Sequence, residues 1–132
     1  MKILLIDDDP AMTEMLKLIL QAAVIEVYTA NSGKDGIRLT KEVSPNVVIL
    51  DLMMPEMDGW QVCDNIRSFS KVPILILSAL DNPGLVARAL DAGADDYLIK
   101  PVPSGVLIAH LQKLIRRSKA IQQEVLTTSS SS

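Results

Sequence analysis

The chain has 132 residues, 48% of them hydrophobic and 22% charged, with a net charge of −3 and one cysteine. That length and apolar share suit a single globular domain with a real core. They exclude an internal disulfide, a basic nucleic-acid face on this domain itself, and an apolar run near the ~18 residues of a membrane span.

The opening Met1-Lys2-Ile3-Leu4-Leu5-Ile6 starts like a signal peptide, but its apolar part is too short and Asp7-Asp8-Asp9 follow at once. A cytoplasmic protein is expected, and a lone thiol, Cys63, fits a reducing compartment. Ile3–Ile6 is read as a strand, because it is apolar throughout and too short for a helix. Asp9-Pro10 then supply a cap and a first-turn proline. The helix they open carries Met12, Met15, Leu16, Ile19 and Leu20 on one face. Val24–Tyr28 reads as a strand, and Glu26 inside it points to a sheet edge. The next helix, around Gly33–Glu42, has the helix-weakening Gly36 within it. Val47–Leu50 is the third strand. Val62, Cys63, Ile66 and Phe69 mark a third helix face, and Ile74–Leu77 the fourth strand. Val86, Ala89 and Leu90 mark a fourth helix, stopped by Gly93. Tyr97–Ile99 is the fifth strand. Ile108, Leu111 and Ile115 mark the last helix, with Arg116-Arg117 set favourably near its C-terminus. From about Lys119 the chain reads as a linker or disordered tail, which leaves 1–118 as the domain.

Five β-α alternations imply a parallel sheet with right-handed crossovers. Runs that are apolar at every position fit strands covered on both faces. The polar residues after the strands then share the sheet's carboxyl edge, where open α/β sheets bind ligands. Asp7-Asp8-Asp9 follow the first strand, Asp51 the third, Ser78 the fourth and Lys100-Pro101 the fifth. Carboxylates this close repel one another, so some gain protons or a cation neutralises them. The donors are all oxygens, which favours a hard cation such as Mg²⁺. Lys100 is a point charge suited to a phosphoryl group, and Ser78 can donate to the same group. Metal, carboxylate and ammonium together make a phosphoryl-transfer arrangement.

Four segments, Asp7-Asp8, Asp51-Leu52-Met53-Met54-Pro55-Glu56-Met57-Asp58-Gly59, Ser78-Ala79 and Gly93–Pro101, closely resemble the receiver domain of two-component response regulators. The likeness covers roughly Lys2 to Arg117. It implies a flavodoxin-like, doubly wound, five-stranded parallel sheet of order 2-1-3-4-5. It also implies that Asp51 accepts a phosphoryl group from a histidine kinase or a phosphotransfer protein, forming an acyl phosphate. Asp8 and Asp51 would then bind Mg²⁺ (or Mn²⁺) directly, Met53 through its backbone carbonyl and Asp7 through water. Lys100 and Ser78 would hold phosphoryl oxygens, and the Lys100–Pro101 bond would be cis. Ser78 and Tyr97 would be the switch pair, repacking the face of the fourth helix, fifth strand and fifth helix. Tyr97 is also readable as an ordinary half-buried strand aromatic. Asp95, Asp96, Arg116 and Arg117 are either solvated charges or the face of a phosphorylation-dependent homodimer, as in the winged-helix subfamily.

Other residues receive structural roles. Asp9 and Asp58-Gly59 read as cap and turn, Cys63 as core filler, His110 as a surface helix residue, and Met53, Met54 and Met57 as packing. Met53 and Leu80 stand two residues after Asp51 and Ser78, where the family controls attacking water, and apolar side chains there imply slow autodephosphorylation. Val102 stands where the family often has phenylalanine. A haloacid-dehalogenase-like hydrolase would need an aspartate at Met53. A flavodoxin would need a Ser/Thr/Gly-rich loop where Asp7-Asp8-Asp9 would repel phosphate. A binding-only receiver whose partner ignores phosphorylation stays open.

Overall fold

The structure, a computed structural model, describes residues 1–23 and 26–130. The elements in chain order are β1 (Lys2–Ile6), α1 (Pro10–Gln21), β2 (Glu26–Ala30), α2 (Gly33–Val43), β3 (Val47–Leu50), α3 (Gly59–Arg67), β4 (Ile74–Ser78), α4 (Pro83–Asp91), β5 (Asp96–Ile99) and α5 (Ser104–Ser130). The five strands form one sheet in the order β2-β1-β3-β4-β5, and every neighbouring pair is parallel. Both the expected fold class and the expected strand order are therefore present.

Successive strand residues point to opposite faces, and this period divides the core in two. Leu4, Ile6, Val48, Leu50, Ile74 and Ile76 pack with Val62, Cys63 and Ile66 of α3 and Ala89 of α4. Ile3, Leu5, Val47, Ile49, Leu75 and Leu77 pack with Leu16 and Leu20 of α1 and Leu107, Leu111, Leu114 and Ile115 of α5. Helices cover both faces, which is why Ile3–Ile6, Val47–Leu50 and Ile74–Leu77 are apolar at every position. Each fully buried Leu or Ile contributes about 1.5–3 kcal/mol relative to exposure. Cys63 is the core filler expected, and burial pushes its thiol up to about 11. Among the described residues, no helix is long and apolar enough to cross a membrane.

Several local expectations change. The second strand is Glu26–Ala30 rather than Val24–Tyr28, and Val24 and Ile25 lie outside the described residues. Its register runs from Lys2 opposite Glu26 to Ile6 opposite Ala30; Glu26 does lie on an edge strand. Met15 and Leu90, expected on buried helix faces, are exposed. Phe69 is not on α3, which ends at Arg67 with Ser68 as its C-cap. Helix α5 continues as backbone to Ser130, through the stretch expected as linker or tail. Arg116 and Arg117 are thus mid-helix, and no end-of-helix dipole argument applies to them.

Candidate functional site

The site is built where the sheet's hydrogen-bond ladder runs out. The Asp7 N–H donates to Ala30 O at 3.1 Å, the Asp51 N–H to Ile6 O at 3.0 Å, and the Lys100 N–H to Ser78 O at 2.9 Å. Each polar residue therefore leaves its strand from a fixed backbone position. The Lys100–Pro101 bond is cis, as expected.

The structure brings Asp7, Asp8 and Asp51 together. Each offers a carboxylate oxygen, and these atoms lie within 4.8 Å of one another, with Asp7 buried and Asp8 exposed. The Lys100 ammonium donates to Asp7 Oδ2 at 3.1 Å and lies 4.0 Å from Asp51 Oδ2. Asp7 Oδ1 also accepts from the Asp9 N–H at 3.0 Å, and Asp51 Oδ1 from the Met53 N–H at 3.4 Å. Burial pushes the Asp51 carboxyl above its ordinary range; Lys100 opposes this and the Asp7 charge adds to it. Three ionised carboxylates against one ammonium leave two negative charges, and a divalent cation matches that deficit. Oxygen-only donors at this spacing suit Mg²⁺ or Mn²⁺.

The loop after β3 is held by the start of α3. Asp58 caps that helix in a capping box with Gln61. The Gly59 N–H donates to Leu52 O at 2.9 Å. A Cβ on Gly59 would stand 2.5 Å from Asp51 O and 2.6 Å from Leu52 Cα. Only glycine lets the helix sit this close to the Asp51 backbone. Glu56, in the same loop, takes the left-handed conformation at φ 67.

Ser78 is fully buried, and its Oγ accepts from the Leu80 N–H at 3.3 Å. The Leu80 carbonyl accepts from the Tyr97 hydroxyl at 2.6 Å. One residue thereby joins both expected switch residues, through its N–H on one side and its C=O on the other. Tyr97 also packs against the core beneath it, and burial is the main cause raising its phenol pKa. Met53, by contrast, is an exposed side chain beside Asp51.

The four charged residues expected at a dimer face are differently placed. Asp95 pairs within the chain with Arg67 and with Arg117, each at 2.7 Å, and accepts from the Ile74 N–H at 2.8 Å. Asp96 meets His110 Nδ1 at 2.5 Å. Arg116 is exposed. Sequence reasoning missed two of these partners. His110 is the surface helix residue expected, and it also faces Asp96 across β5 and α5. Arg67 received no reading, yet it also donates to Gly93 O, Ser70 O and Val72 O at 2.7–3.2 Å. No local motif marks either residue, because both partnerships are made by the tertiary fold.

A doubly wound parallel sheet with an Asp-Asp-Asp-Lys cluster and a Ser/Tyr pair at its carboxyl edge defines the class of phosphorylation-based signalling switches. The chain belongs to the response regulator receiver domain family of two-component systems, whose description matches residues 3–112. It is 41% identical over 129 residues to the cell cycle response regulator CtrA of Brucella ovis, covering 97% of this chain and 56% of that protein. The chain thus spans little more than half the length of the curated relatives it matches. Among solved structures, it resembles the BeF3-activated N-terminal receiver domain of Klebsiella pneumoniae RstA, with a TM-score of 0.85 and 30% identity over 88% of this chain and 99% of that one. A response regulator receiver domain of Clostridium thermocellum gives a TM-score of 0.85 and 32% identity over 91% and 98% of the respective chains.

Proposed function

We propose that Asp51 is the phosphoryl acceptor of this receiver domain. The observation that carries this reading is the convergence of Asp7, Asp8, Asp51 and Lys100 at one point on the sheet edge. In the reaction an Asp51 carboxylate oxygen attacks the phosphorus of a phosphohistidine on a histidine kinase or phosphotransfer protein. A P–O bond forms, the P–N bond breaks, and the leaving imidazole takes up a proton. Asp8, Asp51 and the Met53 carbonyl would hold Mg²⁺ or Mn²⁺ directly, with Asp7 acting through water; the ion supplies positive charge to the phosphoryl oxygens. Lys100 lies within reach of both Asp7 and Asp51 and would shift toward a phosphoryl group on Asp51. Ser78 would turn to the same group and release Leu80, and Tyr97 would follow through the Leu80 carbonyl. Met53 and Leu80 flank the approach of water and would slow autodephosphorylation.

The test is incubation with Mg²⁺ and acetyl phosphate, read by intact mass. One phosphoryl adduct is expected on the wild type and none on Asp51→Ala. No adduct on the wild type, or its persistence in the variant, overturns the reading. Trp60, which stacks under Arg88 at 4.4 Å, provides a fluorescence signal for the accompanying change.

Leu90, Ile99 and Val106 are exposed apolar residues on α4, β5 and α5, and they support phosphorylation-dependent pairing of two copies through that face. Asp96 and Arg116 would reach the second copy, while the Asp95–Arg117 pair stiffens the face from within. Unchanged mass by sedimentation after activation would count against it.

A further inference from the structure

The opposite edge of the sheet carries a second concavity, unrelated to the carboxylate cluster. It has a volume of about 430 Å³, within the range of small-molecule pockets. The end of α2 and the turn after it contribute Thr40, Lys41 and Ser44, the α3–β4 connection contributes Phe69, Lys71 and Val72, and Ser118 of α5 closes one side. The residues from the α2–β3 and α3–β4 segments precede β3 and β4, so these strands separate the pocket from Asp51 by their full length.

The chemistry of the lining is one-sided. Three backbone acceptors around it are already hydrogen-bonded: Thr40 O accepts from the Ser44 N–H, and Ser70 O and Val72 O accept from Arg67 Nη1. Thr40 Oγ1 donates to Gly36 O at 2.7 Å. Among the described residues no carboxylate lines the pocket, and Lys41 and Lys71 make no ion pair. Two ammonium groups thus carry no ion pair among the described residues, on a chain whose net charge is −3. Lys41 Nζ is 4.7 Å from the centre of the partly exposed Phe69 ring, so cation and apolar plane are presented together. Ser44 is held at φ 51, a conformation that costs a non-glycine residue energy and often marks a functional segment. The Arg67 hydrogen bonds fix the α3–β4 connection, so the cavity is preformed.

We propose that this pocket is a second binding site, for a small organic anion with a flat apolar body such as an aromatic carboxylate, sulfonate or phosphate. The ring lies on Phe69 and Val72, and the anionic group lies between Lys41 and Lys71. The probe is anilinonaphthalene sulfonate, titrated into the full chain and followed by fluorescence and by amide chemical-shift mapping. Saturable binding is expected, with shifts centred on Lys41, Ser44 and Phe69–Val72. Affinity should fall at least tenfold in the Lys41→Gln/Lys71→Gln double variant and in Phe69→Ala, and should be unchanged in Asp51→Asn. Inorganic phosphate alone should bind at least tenfold more weakly, because it lacks the apolar body. Non-saturable binding, shifts centred elsewhere, or unchanged affinity in a double variant with native circular dichroism would overturn the assignment.

Discussion

Lys100 and Asp7 stand 93 residues apart in sequence and meet through a 3.1 Å contact between ammonium and carboxylate. Asp7 is buried there, and Lys100 is the cation that neutralises it.

Replacing that cation has two separable effects. Lys100→Met leaves the buried Asp7 charge short of a partner, which should cost roughly 2 kcal/mol of stability. Denaturant unfolding measures this. The same variant should accept phosphoryl from acetyl phosphate at least tenfold more slowly, because a positive charge beside Asp51 is gone. Wild-type stability together with a wild-type rate would contradict both roles.

Asp51 has a carboxyl pKa raised chiefly by burial. A raised carboxylate pKa means that the folded state holds the proton more tightly than the unfolded chain does. Its contribution to stability is therefore present at low pH and is lost as pH rises through the folded pKa. Asp51→Asn should accordingly melt at a higher temperature than the wild type at about pH 7. The difference should disappear near about pH 3, below the ordinary carboxylate range. Calorimetry at the two pH values checks the sign.

Two substitutions between β3 and the first turn of α3 should act in opposite directions. Gly59→Ala forces a Cβ against backbone atoms of Asp51 and Leu52, and backbone yields poorly. A loss of about 1–3 kcal/mol is expected, with slower phosphorylation because the acceptor itself is displaced. Glu56→Gly instead relieves a left-handed non-glycine residue and should raise stability by about 1 kcal/mol or less. Paired unfolding curves, with acetyl phosphate kinetics on the same samples, decide both.

Arg67→Ala removes hydrogen bonds to Gly93 O, Ser70 O and Val72 O, and the pair with Asp95. A loss of roughly 3 kcal/mol or more is expected, since several acceptors are left partly buried without donors. The initial rate of Asp51 phosphorylation at low temperature should change less than twofold, because none of these groups lies at the carboxyl edge. A variant as stable as the wild type would refute this structural role of Arg67.

What could be read in advance depended on how local its cause was. The strand that ends at Asp51 was legible because an unbroken apolar run must be covered on both faces, and because a carboxylate at its end has no local turn to explain it. The aspartate caps at Asp9 and Asp58 were legible for the same reason, being set by residues two or three positions on. Helix α2 was obscured by Gly36, whose cause is not local: a Cβ there would stand 2.5 Å from Ile6 Cδ1 on β1. The glycine that weakens the helix is what lets it lie against the sheet. The same limit hid the partners of Asp95 and Asp96. Their charges looked available in sequence, and only the packing of α3 and α5 brings Arg67, Arg117 and His110 onto them.

The backbone bonds of Asp7, Asp51 and Lys100 to Ala30, Ile6 and Ser78 have a practical consequence. Substitution by any residue but proline leaves these bonds in place, because they belong to the ladder and not to the groups it displays. The scaffold and the chemistry are therefore separable: Asp51, Lys100 or Asp8 can be replaced one at a time while the platform keeps its shape. Comparisons among such variants measure chemistry subtracted from a common frame.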